Sequence, residues 1–563
     1  MKFSEFPYYK PDINVVTKNY EELFEKFTAA ESFEEQDKIF LKLYEAEKEF
    51  LTMETIAYVR FTSDTTNESF VEDQEYFDFI NPVFGELEKK YYELFNSSPF
   101  LKQYEQKYGK QLIKNCMREA IISSDELEDE YRKESSLVND YIKLRSGATI
   151  NFEDKEVTLN GMRAYYSNLD RNIRKKSLEA SYNFYVSKNE QTAKVFDELV
   201  KIRTEMAKKL GHDNYTGLAY ILLKKEFSLE DIKKFRENIV KYFIPVVLRL
   251  KERQRKRINV DKMMYYDSVL NFKTGNPKPK GDTSWVLEKG IEMYRSLSPE
   301  TNEFITYMAE NELIDLSGRK GKKTGGYSTF FFNHRAPYIF VNMNGTSSDI
   351  EILTHEAGHA FQNYLCKDYK LDVDIHASLD ICEIHSMSME FLAYDYMNIF
   401  FAEDTNKFYF KHIEDSILAI LFASQSDEFQ EIIYTNPQLT KDERNQVWKE
   451  LTLKYTIPSD YDGNEFLLKG ISWHNRAQIF FAPFYAIEYA LAQIVAYQFL
   501  FKKKENHEEA FKEYVEFCRL GGKHSFSEAL KTAGLKNPIE VETVKEMAEK
   551  IEAFLDTIDD SNF

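Results

Sequence analysis

Apolar residues recur at spacings of three and four over most of the chain, so long stretches read as amphipathic helix. The pattern is nearly continuous over 20–271, with 71–95 and 171–210 as long runs and polar breaks at Ser97-Ser98-Pro99 and Gly211-His212-Asp213. Residues 273–282, with Gly275, Pro277, Pro279 and Gly281, form the clearest loop and set peripheral helices apart from the catalytic region. Two β-rich runs, 327–332 and 338–343, joined by Asn333-His334-Arg335-Ala336-Pro337, predict a hairpin. A basic loop at 317–326 leads into it and ends in Gly325-Gly326, which permits a tight turn or close backbone approach to a ligand. Farther on, 479–501 is apolar enough to suggest a membrane span, but Pro483 and Glu488 point instead to a helix buried on all sides.

Composition strengthens the helical reading. Only 20 glycines and 13 prolines occur in 563 residues, about half the usual share, while Glu, Lys, Leu, Phe and Tyr abound. The length allows about two to four domains, and the lack of repeats and Gly/Ser linkers predicts that they pack together. Cys116, Cys366, Cys382 and Cys518 show no C-x-x-C pairing, which argues against a disulfide framework and a thiolate metal site and for a reducing compartment. The first residues lack an apolar signal region, so a cytoplasmic location is expected. The formal net charge of −20 opposes nucleic-acid binding. No membrane partner is expected either, and nothing in the sequence bears on oligomeric state.

One short segment carries chemistry. His355-Glu356-Ala357-Gly358-His359 reads H-E-x-x-H. On a helix, residues four apart share a face, so both imidazoles can reach one metal ion while Glu356 sits beside its open coordination position. Ser348 and Glu351 have capping-box spacing, which predicts a helix from Asp349 to about Cys366. A hydrolytic zinc takes three protein ligands, and Glu383 is the expected third. Ser378 or Asp380 can cap a second helix that carries Glu383, Met387 and Glu390 on one face, and the intervening residues suffice to bring it back antiparallel. Glu390 is then either the acceptor for the second N–H of a ligating imidazole or a solvated carboxylate. His385 points off that face and belongs to the core or to a substrate groove. The strand edge beginning at Gly325, Gly326 and Tyr327 can hold an extended peptide by main-chain hydrogen bonds, or the hairpin is purely structural.

These residues also resemble a known family. Gly325-Gly326-Tyr327, Pro337-Tyr338-Ile339-Phe340, the run from Thr354 to Gln362 around the H-E-x-x-H, the run from Ile381 to Glu390, and Pro483-Phe484-Tyr485-Ala486-Ile487-Glu488-Tyr489 are similar to the M3 metallopeptidases, specifically the oligoendopeptidase F and Pz-peptidase branch. The similarity runs from about Tyr166 to Gly534. It implies a mainly α fold, two helical halves flanking a deep substrate channel, with a small β-hairpin or sheet beside the zinc helix. It implies an N-terminal helical region, 1–165, and a helical catalytic region, 166–563. It further implies one zinc ion (Zn2+) per chain on His355, His359 and Glu383, Glu356 as general base, and short peptides as substrates. Tyrosines near the carboxyl end are implied to stabilise the tetrahedral intermediate; Tyr489 matches such a position and Tyr485 lies nearby. The chain departs from the branch where Gln478 replaces a His and Ala486 a Tyr. Losing an oxyanion donor costs about 2.7–4 kcal/mol of barrier. His474, four residues before Gln478, either substitutes for the missing imidazole or is an exposed helix residue.

The expected activity is therefore zinc-dependent endopeptidase cleavage of short peptides, with Glu356 as proton carrier and His385, His474, Gln478 and Tyr485 among the substrate contacts. Two alternatives stay open. A metallocarboxypeptidase needs a cationic pocket for the free carboxylate, for which Arg476, Arg319 and Lys322 are candidates. A catalytically impaired peptide-binding relative is suggested by Gln478 and Ala486, although an intact Glu356 argues against it.

Overall fold

The computed structural model describes residues 1–563 apart from 123–124, 324, 456–458 and 561–562; Thr324 of the basic loop thus lies outside the described residues. Helix dominates, as the spacing predicts. The helices that bear on function are α1 (Phe33–Ser63), α2 (Glu68–Asn96), α3 (Leu229–Arg257), α4 (Ser348–Cys366), α5 (Leu379–Leu392), α6 (Thr405–Thr435) and α7 (Ala486–Glu505). Strands β1 (Thr149–Phe152) and β2 (Lys155–Thr158) form a hairpin, and β3 (Ile314–Asp315), β4 (Gly326–Phe331) and β5 (Ala336–Val341) form a sheet in the order β3-β5-β4.

The described residues pack into two compact units. The first takes Met1–Ser124, Lys278–Ala402 and Gln498–Leu535, and the second takes Asp125–Pro277, Glu403–Tyr497 and Lys536–Phe563. The boundary at Pro277 falls within the Gly/Pro loop at 273–282 that the sequence marks. Packing thus interleaves the chain, a division of a different kind from the contiguous regions 1–165 and 166–563.

In the first unit α1 starts where the Ser32 side chain accepts from the Glu35 N–H, and it buries Phe40, Leu43, Phe50, Met53 and Ile56. Phe50 stacks on Phe84 of α2 with ring centroids 3.7 Å apart. Each such side chain contributes about 1.5–3 kcal/mol by leaving water. The sheet follows the predicted hairpin with both strands starting earlier. Phe332 leaves the strand to join a 3-10 turn, Phe332–His334, and Arg335 closes the turn at φ 50°. β5 lies in the middle, buried throughout, paired antiparallel with β4 (Gly326 opposite Val341) and parallel with β3 (Ile314 opposite Ile339). β4 is an edge strand.

In the second unit α6 is largely buried, and its acids Asp427 and Glu414 are matched from α3. Arg236 reaches Asp427 at 2.7 Å and Lys251 reaches Glu414 at 2.6 Å. Removing one member of such a pair strands a buried charge, at a cost of about 3–5 kcal/mol. The single helix expected over 171–210 is two, Arg171–Ser187 and Asn189–Lys209. Lys188 closes the first by donating to Phe184 and opens the second by accepting from Thr192, so the apolar period survives a one-residue break. The apolar run 479–501 is likewise divided near Pro483, into Ala477–Phe481 and α7. Residues 490–500 of α7 are all buried, and among the described residues no helix is long and apolar enough to cross a membrane.

Candidate metal centre

The H-E-x-x-H segment lies on α4, which ends at Cys366 as expected but does not begin with the predicted capping box. Ser347 is the N-cap and makes no side-chain cap bond. Asp349 instead turns its carboxylate back to accept from the N–H groups of Asn344 and Gly345 (3.0 and 2.6 Å), which pins the loop before the helix. α5 returns antiparallel, since His355 meets Glu390 while His359 meets Glu383. Gly358 sets how near the two helices come. A Cβ there would stand 2.7 Å from both the His385 carbonyl oxygen and the Ser386 Cα, so only glycine fits the crossing.

That approach brings three donors together. One ligand atom each from His355, His359 and Glu383 can be chosen so that all lie within 4.8 Å of one another. His355 Nε2 stands 3.3 Å and His359 Nε2 3.7 Å from Glu383 Oε2. Both rings are held from behind, His355 Nδ1 by Glu390 Oε1 at 2.8 Å and His359 Nδ1 by Cys382 Sγ at 3.0 Å. The Ser386 hydroxyl donates to Glu383 Oε2 at 3.1 Å. Burial works against charge on His355, but its hydrogen bonds with Glu383 and Glu390 outweigh that and hold its pKa well above the usual histidine value. Burial, then the charge on His355, pushes His359 down to about 4. Burial would raise Glu383, yet its hydrogen bond to His355 brings it down to about 2. The centre is therefore built around positive charge between a carboxylate and two imidazoles, and two nitrogens with one carboxylate oxygen are a donor set that zinc accepts. The residues fit that ion.

Glu356 is 8% exposed, and its carboxyl is raised to about 7, first by burial and against the pull of His355. The edge strand starts beside it. A Cβ at Gly326 would stand 3.0 Å from Ile352 Cγ2 and 3.3 Å from the Phe340 carbonyl oxygen, both tight, and in ordinary contact with Glu356 Oε1 at 3.4 Å, so the strand runs directly beside this carboxylate. Gly325, at φ 102°, makes the turn into the strand. Tyr327 stacks on Phe340 and shares a 2.6 Å hydrogen bond with Thr62, which fixes its side chain against the sheet. Lys322 is fully buried at its side chain and donates to the Asp315 carboxylate and to the carbonyls of Ser317 and Val341, clipping the loop to the sheet.

The remaining expected residues divide between the two units. His385 is fully buried and packs against Phe517. In the second unit His474 sits in a 3-10 turn, Ser472–Asn475, 1% exposed and edge-on to Trp473 at 4.2 Å. It is neither an exposed helix residue nor on the helix of Gln478, because the chain turns at Arg476, and Gln478 itself is exposed. The Tyr485 and Tyr489 hydroxyls are 3.1 Å apart. They follow Phe484, a buried residue at φ 64° whose N–H donates to Gln430 Oε1. Such a conformation is strained for a bulky side chain and persists only where the surroundings impose it. Sequence reasoning missed Gly358, Cys382 and Ser386; the glycine inside the motif and the thiol beside a ligand were the available signals.

Comparison with known proteins gives a consistent picture. Residues 3–120 match the peptidase M3 N-terminal domain and residues 164–549 match peptidase family M3. A solved structure of Pz peptidase A with an inhibitor superposes with a TM-score of 0.93 at 41% identity, covering all of both chains. Oligopeptidase PepF of Bacillus subtilis (strain 168) is 22% identical over 408 residues, 70% of this chain and 59% of that one. An oligoendopeptidase F homolog of Borreliella burgdorferi is 24% identical over 383 residues, 66% of this chain and 63% of that one. The chain thus spans about three fifths of the length of these curated relatives. The chain belongs to peptidase family M3.

Proposed function

We propose that the protein is a zinc-dependent endopeptidase that hydrolyses short peptides. The observation that carries this reading is the convergence of His355, His359 and Glu383 on one point, with Glu356 on the same helix as both histidines. Bound by those three residues, zinc would supply Lewis acidity toward a carbonyl oxygen and toward water. Glu356 takes the proton of the attacking water and passes it to the leaving amine. A carboxylate that neighbours the metal position can both accept and return that proton. Glu390 keeps the His355 proton on Nδ1, so that Nε2 faces the ion. The β4 edge, which passes beside Glu356 at Gly326, offers main-chain hydrogen bonds to an extended peptide. Tyr489 is the donor that the family motif assigns to the developing oxyanion, with Gln478 and Ala486 lowering turnover.

The names of the relatives, an oligopeptidase and an oligoendopeptidase F, support short-peptide cleavage. Four free cysteines suit action in the cytoplasm. For carboxypeptidase action, Arg319 and Lys322 are poor anchors, because Asp315 already holds both. The test is a mixed peptide library with free and amidated carboxyl ends, read by mass spectrometry after incubation with the zinc-loaded protein. Internal cleavage of both sets is expected. A requirement for a free carboxyl end, or zinc binding without cleavage, would overturn the reading.

A further inference from the structure

The two histidines of the centre are supported by different chemistry. His355 Nδ1 meets a carboxylate, Glu390 Oε1 at 2.8 Å, whereas His359 Nδ1 meets a thiol, Cys382 Sγ at 3.0 Å. Each contact lies on the side of its ring opposite the Nε2 that faces Glu383. Cys382 is also the residue immediately before Glu383 on α5, so one short stretch of backbone fixes both a ligand and the support of another ligand. The Gly358 crossing fixes the distance between that stretch and α4. The other three cysteines are buried and lie outside the three-ligand cluster.

We infer that Cys382 is a positioning residue for metal binding: its sulfur accepts the Nδ1–H of His359, which selects the tautomer whose Nε2 lone pair is turned toward the centre. The inference rests on the zinc reading above. A ligating imidazole must present a lone pair at one nitrogen, and a hydrogen bond at the other sets which one and fixes the ring's rotation. A sulfur acceptor is softer and weaker than a carboxylate, so it leaves His359 a neutral, weakly polarised ligand beside a His355 that is strongly polarised by Glu390. The asymmetry places the tighter restraint on His355.

The experiment measures zinc affinity by competition with a chromophoric chelator, for the parent and for Cys382→Ala, Cys382→Ser and Glu390→Gln, together with thermal unfolding of each after metal removal. Loss of an outer partner of a metal ligand costs about 10–100-fold in affinity. Cys382→Ala is expected to weaken zinc binding within that range while its unfolding without metal stays like the parent's. Cys382→Ser, which restores an acceptor at nearly the same place, is expected to recover most of the affinity. If Cys382→Ala binds zinc like the parent while Glu390→Gln is weakened, the thiol has no positioning role. If the serine variant binds no better than alanine and both unfold earlier without metal, the thiol acts by packing and the inference is wrong. A parent that binds no zinc overturns the metal reading and this inference together.

Discussion

The helix pair α4–α5 in the first unit and the segment 474–489 in the second both attracted notice through short motif spacings, yet spacing became geometry in only one of them. On α4–α5 every residue sits on uninterrupted helix, and one close crossing at Gly358 fixes all the cross-helix distances at once. In 474–489 the chain turns at Arg476, breaks near Pro483 and passes through a left-handed Phe484, so His474 and Gln478, four apart, no longer share a helical face. A helical period is a reliable ruler only while the helix lasts.

Tyr489→Phe tests whether the broken segment nevertheless delivers a working group. If its hydroxyl is an oxyanion donor, kcat should fall by roughly ten- to a thousandfold with KM little changed. Single-turnover rates on a well-cleaved peptide measure this, and an unchanged rate removes the tyrosine from the mechanism.

Gly358→Ala probes the crossing itself. The added methyl must displace the His385 carbonyl and the Ser386 backbone, so the variant should lose about 1–3 kcal/mol of stability, as overpacked sites do, and bind zinc more weakly. Parental stability and zinc affinity would mean that the distance between the helices is set elsewhere. On the other side of the comparison, Ala486→Tyr, which restores the residue of the related motif, places a large ring where the native side chain is only 6% exposed. A loss of about 1–2 kcal/mol is expected by the same overpacking, whereas Gln478→His, at an exposed position, should cost little. Denaturant unfolding of both variants decides, and a neutral Ala486→Tyr would show that the segment has room the packing conceals.

A smaller, pH-dependent effect separates the metal centre from the other buried acids of the first unit. Burial, then the neighbouring charge of Glu47, raises Glu88 on α2 to about 8. Its folded value exceeds its unfolded one, so in that interval the folded state holds a proton that the unfolded state has released, and stability falls as pH rises from about 4.5 to about 8. Glu88→Gln should raise the melting temperature at pH 8 by a few degrees and leave it nearly unchanged at pH 5. The opposite order would mean that the carboxyl is ionised in the folded protein.

Much of the centre was legible because its information is local. H-E-x-x-H fixes a face, Glu383 and Glu390 lie on a second regular helix, and the β-rich runs at 327–332 and 338–343 mark the hairpin. The rest depends on contacts between elements. Nothing in the periodicity says that Asp349 rather than Ser348 ties down the start of α4, that Lys188 interrupts a continuous apolar pattern, or that Cys382 lies behind His359. His474 was misjudged for the same reason, since a histidine beside a tryptophan reads as surface or core only once the packing of Trp473 is known.

The central claim is that Glu356 works as the proton carrier beside a zinc held by other residues. Its most direct test compares zinc content and peptide turnover of the parent and Glu356→Gln under identical loading. The amide cannot accept the proton, so the variant should keep one zinc per chain and lose at least about a hundredfold in kcat. Turnover within about tenfold of the parent, with zinc retained, would contradict the account.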